Sequence, residues 1–408
     1  MLRELYPRGH TRILALPVLG AYAGTFTQWL LDQGYRPLTI RLRLAELPQV
    51  DQMLQARGAS HLKDVSAADL VALAPQDSQD DIYLAATVRS LARCFTESGH
   101  LVPATISPAD ALLSEYWGHL DRVRGCARST CIHHLSTAAE FLSYLKFEGE
   151  ASRLLKLAPS DIEGFLKVVG PRLSRGSLQH TSSHLRSFLR YLFSRGLTAP
   201  DLDQRVDSPR LYRGERLPRS LPWETVKAFL AAIDRSTPMG KRDFAMFLLV
   251  ATYGLRSCEI ASLRLEDIQW RASCFRVPRS KVGGTLTLPM TEEVSGALVD
   301  YLRNGRPELP LRQVFLRARG PKGILKPTAV TEAFQGWARR SGLPITFQGP
   351  HCLRHSLAVH LLRQGTPLKT IGDLLGHRST ESTCVYLRLN VEDLRDVALQ
   401  LPHEEVQP

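Results

Sequence analysis

Apolar side chains recur at the three- and four-residue spacing of amphipathic helices throughout the first two hundred residues. One predicted helix ends near Gly34 and another near Gly125, because glycine readily adopts the left-handed conformation that closes many helices. A basic residue and a threonine follow each glycine, and we expect the threonine to cap the next helix. These residues are Arg36 and Thr39 in the first stretch, and Arg128 and Thr130 in the second.

The two helical stretches share further landmarks in the same order. Residues 65–70 correspond to 157–162, and residues 88–99 correspond to 185–196. The offset runs from 91 residues (24 against 115) to 97 residues (88 against 185), which is the length of a domain rather than of a solenoid repeat. We therefore predict two related helical domains at 1–105 and 106–200, with chance similarity between two helical bundles as the alternative.

The pattern changes near residue 200. Prolines and charged residues with little apolar periodicity predict an extended basic linker, assigned to 201–219 within the wider proline-containing stretch 198–222. Beyond it, at 220–390, we predict helices mixed with two short strands that flank Gly283-Gly284, a pair typical of a hairpin turn. The predicted helices span 226–233, 244–253, 328–341 and 353–364, and the predicted strands span 269–279 and 285–289.

The predicted fold class follows from these patterns. It is mainly α, with two helical-bundle modules followed by a mixed α+β domain that contains a small β-hairpin sheet. The last segment, 391–408, is predicted to hold a tail helix with its apolar residues on one face. Those residues are Val391, Leu394, Val397, Ala398 and Leu401.

Charge gives the first indication of a partner. The formal net charge is +12 and the isoelectric point is near 9.5. Such an excess of Lys and Arg favours a polyanion, most commonly nucleic acid, although a merely basic protein would show it as well. No stretch approaches the roughly 20 apolar residues that span a bilayer, so we expect no membrane partner.

The seven cysteines point to a reducing compartment. They form neither a C-x-x-C pair nor a Cys/His ligand cluster, so we expect free thiols and no metal site. An apolar run from Ile13 to Leu19 follows three arginines and is similar to an export signal, but Pro17 interrupts it and an amphipathic pattern continues directly after it. We therefore expect a cytoplasmic, nucleoid-associated protein.

Four segments of the C-terminal half place polar side chains where a purely structural protein has no need of them. Each alone has an ordinary interpretation: an arginine at the surface, a histidine at a helix start, a tyrosine with its hydroxyl at the rim of a core. The segments are 253–260 with Arg256, the hairpin with Lys281, 351–355 with His351 and Arg354, and 374–377 with His377, followed nine residues later by Tyr386.

Together these residue types match a site for phosphoryl transfer. Guanidinium forks can each bind two oxygens of a phosphate and neutralise charge in the transition state. Imidazoles can move a proton near neutral pH or donate hydrogen bonds to the phosphate, and a lysine can protonate a leaving oxygen. A phenol supplies a nucleophile that divides one displacement into two reversible steps.

Two runs of sequence resemble a known family. Residues 351–365, His-Cys-Leu-Arg-His-Ser-Leu-Ala-Val-His-Leu-Leu-Arg-Gln-Gly, closely resemble the H-x-x-R helix of the tyrosine recombinase (phage integrase) family. Residues 371–377, Ile-Gly-Asp-Leu-Leu-Gly-His, and the segment from Ser379 to Tyr386 complete the pattern. The resemblance covers about residues 220–390, and the helical stretches, the second more than the first, look like the family's core-binding domain.

The resemblance implies a tyrosine-recombinase catalytic domain that cuts and rejoins DNA. Arg256 and Arg354 would clamp the scissile phosphate, and Tyr386 would attack phosphorus to form a 3′-phosphotyrosyl bond. Because this bond conserves the energy of the broken one, the family needs no ATP, and the arginine pair replaces a metal. We therefore expect no cofactor and no metal.

The remaining site residues carry roles in proton transfer and hydrogen bonding. The resemblance implies that His351 acts in proton transfer, that His377 binds the phosphate, and that Lys281 is the general acid on the 5′-oxygen. The hairpin lacks a second basic residue often found there, so Arg279 competes with Lys281 for this role. Cys352 stands where relatives usually carry an acidic residue, but this change removes no catalytic group.

The expected partner is double-stranded DNA, bound by a homotetramer alone or with partner recombinases. The tail helix would dock on the neighbouring protomer, as the resemblance implies, or pack on its own domain. The candidate DNA contacts are Arg36, Thr39, Arg128, Thr130 and Arg279.

Two other functions remain open at this stage. A type IB topoisomerase shares the phosphotyrosyl chemistry, but two helical units before the catalytic domain favour an extended DNA site and hence recombination. A DNA-binding accessory protein that no longer cuts is disfavoured, because none of the six catalytic positions is lost. The extra N-terminal domain favours a mobile element, by integration, excision or transposition, over chromosome-dimer resolution.

Overall fold

The computed structural model describes residues 2–75, 82–102, 106–212, 218–278, 284–377 and 379–389. The chain divides into two compact units, one of Met1–Val102 with Arg216–Pro408 and the other of Pro103–Glu215. Helices dominate, and the strands form one three-stranded and one two-stranded sheet in the described part of the chain. This confirms the mainly α prediction. Among the described residues, no helix has both the length and the apolar composition to cross a membrane.

The N-terminal part of the first unit is helical and has its own cluster of buried apolar side chains. Its helices are α1 (Leu2–Leu5), α2 (His10–Leu14), α3 (Ala23–Asp32), α4 (Pro37–Ala45), α5 (Leu47–Ala56), α6 (Ala67–Val71) and α7 (Ile82–Glu97). The run considered as an export signal belongs to this core. Ile13, Val18 and Leu19 are buried in it, and the buried carboxylate of Asp51 accepts hydrogen bonds from the backbone N–H groups of Val18 and Leu19 at 3.0 and 2.7 Å.

The second unit is a helical bundle around a separate apolar cluster. Its helices are α8 (Pro108–Gly118), α9 (Arg128–Tyr144), α10 (Ala151–Leu155), α11 (Pro159–Val169) and α12 (Arg175–Ser194). Part of the predicted linker belongs to this bundle, because Leu202 and Val206 are buried in its core. The extended connector is therefore shorter than predicted. From Asp207 to Leu221 the described residues form no helix or strand.

The predicted threonine caps are wrong in both helical stretches. Helix α4 begins at Pro37 with Arg36 at the N-cap, and α9 begins at Arg128 with Ala127 at the N-cap. Thr39 and Thr130 are therefore the third residues inside their helices. Proline suits the first helical position because its missing N–H would have no partner there, which moves the start of α4 toward the N-terminus.

Several predicted landmarks do recur between the two stretches. Gly34 and Gly125 have φ angles of 72° and 57°, so both adopt the left-handed conformation expected of them. The carboxylates of Asp69 and Asp161 each accept a hydrogen bond at 2.9 Å from the backbone N–H three residues earlier. These matches support an internal duplication, which stays a prediction together with the division of the chain into five segments.

The C-terminal part of the first unit carries the remaining elements around a third apolar cluster. Its helices are α13 (Trp223–Ala231), α14 (Pro238–Tyr253), α15 (Ser257–Ser262), α16 (Glu292–Asn304), α17 (Pro327–Ser341), α18 (His351–Arg363), α19 (Leu368–Leu375) and α20 (Glu381–Cys384), followed by a 3₁₀ turn at Val385–Leu389. Its strands are β1 (Ile268–Gln269), β2 (Cys274–Pro278), β3 (Thr285–Pro289), β4 (Leu316–Arg317) and β5 (Gly323–Ile324).

The hairpin is present, but its first strand is shorter than predicted. A 3₁₀ turn at Trp270–Ala272 and the left-handed Ser273, with φ of 47°, divide the predicted strand 269–279 into β1 and β2. Strands β2 and β3 pair antiparallel, with Phe275 opposite Leu288 and Val277 opposite Leu286. Phe275, Val277 and Leu288 are buried, so this hairpin covers one side of the core.

Helix α14 starts six residues before its predicted start at Phe244. Thr237 caps it through Oγ1, which accepts a hydrogen bond from the N–H of Gly240 at 3.0 Å, and Pro238 occupies the first position. Almost the whole circumference of this helix is buried, including Arg242 and Asp243. A helix that is surrounded by the core has no polar face, so its apolar residues show little helical periodicity. The position at which such a helix begins is therefore hard to predict from the sequence.

Candidate active site

Arg256 is placed by the end of α14. Gly254 has a φ of 66°, which turns the chain so that Arg256 becomes the N-cap of α15. The buried Glu259 then holds Arg256 twice: its carboxylate accepts hydrogen bonds from Nη1 and from the backbone N–H, both at 2.8 Å. The other guanidinium nitrogen, Nη2, donates to the carbonyl of Gly376 at 3.4 Å.

Arg354 lies on the first turn of α18 and is 3% exposed. Its Nη1 donates to the carbonyl of Gly254, and its Nη2 donates to the carbonyl of Leu375. The end of α19 therefore binds both arginines, because the adjacent carbonyls of Leu375 and Gly376 accept from one guanidinium each. Carbonyls at a helix C-terminus favour cations, so α19 brings the two predicted clamp residues together.

The two predicted histidines approach the arginines from different elements. His351 is the first residue of α18 and is exposed, and its ring lies 4.8 Å from that of His355. His377 follows the left-handed Gly376, and its Nδ1 lies 2.8 Å from the hydroxyl of the buried Thr383. The rings of His377 and Tyr386 are nearly parallel, at a centroid distance of 6.3 Å.

Tyr386 is only 1% exposed. It packs in a small apolar cluster with residues that include Leu357, Ile371 and Leu375, and its hydroxyl oxygen lies 3.0 Å from Nδ1 of His355. Burial raises the pKa of this phenol, while the charges of Arg354 and Arg256 act in the opposite direction. The ring of Tyr386 is therefore enclosed by side chains of α18 and α19.

Sequence reasoning gave no role to His355, Glu259 or Thr383. His355 lies within the recognised motif, but its contact with Tyr386 joins positions 31 residues apart. Burial first, and then the charges of His351, Arg354, His377 and Arg219, lower its pKa to about 4. Glu259 could have been found, because an acidic residue three positions after an N-cap is a familiar capping arrangement.

The structure describes some of the other candidate residues, and the rest lie outside the described part of the chain. Lys281 and Arg279 lie outside the described residues, between Pro278 at the end of β2 and Gly284. Arg36 and Arg128 are exposed. Thr130 is also exposed and Thr39 is partly buried. The tail 391–408 lies outside the described residues as well.

No metal site is evident in the described part of the chain, where no group of three or more His, Cys, Asp and Glu side chains could hold an ion. All seven cysteines are described, and each is a free thiol. The described residues of the candidate site provide two oriented guanidiniums, three imidazoles and a phenol. This set can bind a phosphate diester, neutralise its charge and supply an oxygen nucleophile.

Comparison with known proteins identifies the family. Residues 219–393 match the phage integrase family. A Sinorhizobium fredii protein named as an integrase/recombinase, y4rA, is 32% identical over 406 residues, which covers 98% of this chain and 96% of that protein. The tyrosine recombinase XerD of Listeria monocytogenes is 31% identical over 297 residues, which covers 71% of this chain and 97% of XerD.

Solved structures show the same fold at low sequence identity. The XerH site-specific recombinase bound to palindromic difH has a TM-score of 0.54 and 17% identity, over 82% of this chain and 96% of that one. A lambda integrase dimer bound to a COC′ core site has a TM-score of 0.51 and 18% identity, over 66% and 95%. With the full-length relatives, these findings show that the chain belongs to the phage integrase family of tyrosine recombinases, enzymes that break and rejoin DNA.

Proposed function

We propose that this protein is a site-specific DNA recombinase that cleaves and rejoins strands through a 3′-phosphotyrosyl bond to Tyr386. One observation carries the proposal: the end of α19 holds Arg256 and Arg354 together, and Tyr386 packs against the same helix end. Relatives that match most of the chain are named integrase/recombinase and tyrosine recombinase, which favours strand exchange over the relaxation of supercoils.

In this mechanism the two arginines bind the non-bridging oxygens of the scissile phosphate, and Glu259 keeps Arg256 in place. His377, oriented by Thr383, donates a further hydrogen bond to the phosphate. His351 takes part in proton transfer, and Lys281 protonates the leaving 5′-oxygen. Because the phosphotyrosine retains the energy of the broken bond, a second 5′-hydroxyl can reverse the reaction on a new strand.

The helical modules are proposed to bind the DNA site through Arg36, Thr39, Arg128 and Thr130, with Arg279 on the hairpin as a further contact. If each of these arginines contacts a phosphate, replacing Arg36 or Arg128 by alanine should weaken DNA binding similarly for all sequences. The slope of the logarithm of the binding constant against the logarithm of the salt concentration should become smaller by about one. Deletion of residues 1–105 should shorten the DNase footprint on the DNA site. An unchanged footprint would assign that module to protein contacts instead.

We further propose a DNA-bound homotetramer in which the tail binds a neighbouring protomer. A lambda integrase tetramer on a Holliday junction is among the similar structures, with a TM-score of 0.51. A groove of about 540 Å³ lies between α13 and α14, lined by apolar residues including Leu230 and Leu248, together with the charged residues Lys227, Arg235 and Glu293. The segment 391–408 contains five acidic residues and one arginine, which complements these two cations.

This assembly can be tested separately from catalysis. Truncation after residue 390 and the substitution Leu230→Lys, at a partly buried position of the groove, should both reduce tetramers on DNA, measured by mass photometry, while a single protomer still binds. Full tetramer formation by both variants would leave the tail packed on its own domain.

We place the reaction in the cytoplasm, on nucleoid DNA, in the movement of a mobile element by integration, excision or transposition.

The proposed chemistry is tested by trapping. The protein is incubated with a library of nicked duplexes of random sequence, and DNA that survives denaturation in covalent complex is recovered and sequenced. Wild type should yield an enriched site, whereas Tyr386→Phe should bind the same site without forming an adduct. Tyr212→Phe, which alters an exposed tyrosine, is the matched control and should trap normally. An adduct with Tyr386→Phe would overturn the assignment of the nucleophile.

A further inference from the structure

The hydroxyl of the nucleophile is already hydrogen-bonded to an imidazole in the folded chain. Tyr386 Oη lies 3.0 Å from Nδ1 of His355, and the two ring centroids are 5.6 Å apart. His355 directly follows Arg354 on α18, so the helix that carries one phosphate ligand also carries the partner of the phenol. This contact is distinct from the role that the family resemblance gives to His351.

The surroundings of His355 keep its ring neutral. It is partly buried, and the charged or titratable groups that act on it are His351 and Arg354 on its own helix, His377 after α19, and Arg219 before α13. Positive charge nearby and burial both disfavour an imidazolium, which is why the pKa of His355 falls to about 4. At neutral pH, one ring nitrogen therefore carries a lone pair.

Tyr386 needs such an acceptor. Burial raises the pKa of its phenol, so the unassisted hydroxyl is a poor nucleophile near neutral pH. A DNA phosphate bound between Arg256 and Arg354 would bring negative charge beside His355 and offset the repulsion from Arg354 and Arg219. Substrate binding therefore makes the protonated form of His355 more favourable at the moment when the phenol must lose its proton.

We propose that His355 is a catalytic residue of this chain: it is the general base that takes the proton of Tyr386. With its own proton on Nε2, His355 accepts the phenol proton at Nδ1 as Oη forms a bond to phosphorus. The bond from phosphorus to the 5′-oxygen breaks, and the general acid protonates that oxygen. In the reverse step an incoming 5′-hydroxyl returns its proton to the deprotonated general acid as its oxygen bonds to phosphorus, and the departing Tyr386 oxygen recovers its proton from His355.

A solvent path for the exchanged proton is present. A cavity of about 390 Å³ is lined by residues that include Arg219, His351 and His355. His351 forms an edge-to-face contact with His355 at 4.8 Å and is itself exposed. A proton held by His355 can therefore pass to water or to His351 without crossing the apolar cluster around Tyr386.

The inference rests on the proposed function, and its test uses the DNA site recovered by trapping. The test variant is His355→Asn, whose amide oxygen can replace Nδ1 as a hydrogen-bond acceptor but cannot hold the proton. We expect the single-turnover rate of adduct formation to fall at least about 100-fold, the lower range for loss of a general base, with unchanged DNA affinity and thermal midpoint. His61→Gln, at an exposed position, is the control and should react normally.

Two bypass measurements separate a base from a residue that only positions the tyrosine. In the first, position 386 carries tetrafluorotyrosine, whose phenol ionises near neutral pH. His355→Asn should then lower the rate of adduct formation less than about threefold, because the phenol has no proton left for a base to take. A 5′-bridging sulfur, which leaves without protonation, should rescue Lys281→Ala but not His355→Asn.

Either of two results would overturn the proposal: a full loss of rate in the fluorinated His355→Asn protein, or rescue of His355→Asn by the bridging sulfur. A His355→Asn protein that reacts at the wild-type rate would overturn it as well. Failure of the underlying function is distinguishable, because wild type would then form no adduct, or Tyr386→Phe would form one.

Discussion

The guanidinium of Arg256 and the carboxylate of Glu259 form a nearly enclosed pair, with Nη1 2.8 Å from Oε1 and side-chain exposures of 19% and 6%. The same carboxylate accepts the backbone N–H of Arg256. Glu259 therefore fixes both the start of α15 and the direction of the guanidinium. The pair links the local structure of a helix N-terminus to the geometry of the phosphate site.

Replacing Glu259 by glutamine should leave Arg256 present but poorly oriented. We expect adduct formation to fall about tenfold, equivalent to about 1.4 kcal/mol, with little change in DNA affinity. The free energy of unfolding should fall by about 1–3 kcal/mol, because a hydrogen bond to a charged group is weakened in a buried place. Urea unfolding and single-turnover cleavage measure the two effects. Unaltered cleavage would show that Arg256 holds its position without this carboxylate.

Gly254→Ala should disturb the same site through the backbone. The φ of 66° disfavours any side chain, and a Cβ would lie 2.4 Å from Cδ2 of Leu375. We expect a loss of about 1–3 kcal/mol in the free energy of unfolding, together with slower cleavage. Gly296→Ala is the matched control: Gly296 is an exposed position of α16 with no atom within 4 Å of a new Cβ, so this change should be neutral or stabilising. Equal stability of the two variants would contradict this account.

Thr383→Val should act on His377 alone. Thr383 is fully buried and its hydroxyl lies 2.8 Å from Nδ1 of His377, while valine has almost the same shape. We expect cleavage to slow by about tenfold and stability to fall by about 1–2 kcal/mol, since the partly buried imidazole of His377 loses this hydrogen bond. Thr383→Ser keeps the hydroxyl and should retain most of the activity, which a role in packing alone would not predict.

The second unit should lose stability in mild acid. His184 on α12 packs near His133, His134 and His180, with its ring 4.3 Å from that of His134. Burial first, and then the charges of these histidines, lower the pKa of His184 to about 4. A histidine in the unfolded chain titrates near 6.5. Between about pH 6.5 and 4 the unfolded state therefore binds a proton at His184 that the folded state does not bind, so the free energy of unfolding falls as the pH drops through this range.

Urea unfolding between pH 7 and pH 4 measures this effect. His184→Gln should flatten the dependence on pH, because the group responsible for the difference in bound protons is gone. Ser183→Ala, which alters an exposed neighbour on the same helix, should keep the wild-type slope. Identical slopes for wild type and His184→Gln would show that other groups control the acid response.

The sequence predicted the helical elements with amphipathic faces, because one face against a core leaves a three- and four-residue period. It was less successful where that signal is absent: α14 is buried on nearly all sides, and its first six residues were missed. The strand 269–279 was predicted as continuous because apolar alternation does not reveal the left-handed Ser273 that breaks it. The cap predicted at Thr39 is wrong because Pro37 starts its helix earlier.

The sequence by itself determined which residues could form the site, since the resemblance of its motifs to those of tyrosine recombinases named Arg256, His351, Arg354, His377 and Tyr386 without any coordinates. Only the tertiary structure decided how they meet. Arg354 binds a carbonyl 100 residues away, Arg256 one that is 120 residues away, and Tyr386 an imidazole 31 residues away. Periodicity and motif spacing are local properties, whereas burial and pKa depend on which distant segments fold against one another. That is why the burial of Tyr386 and its contact with His355 could be seen only in the folded chain.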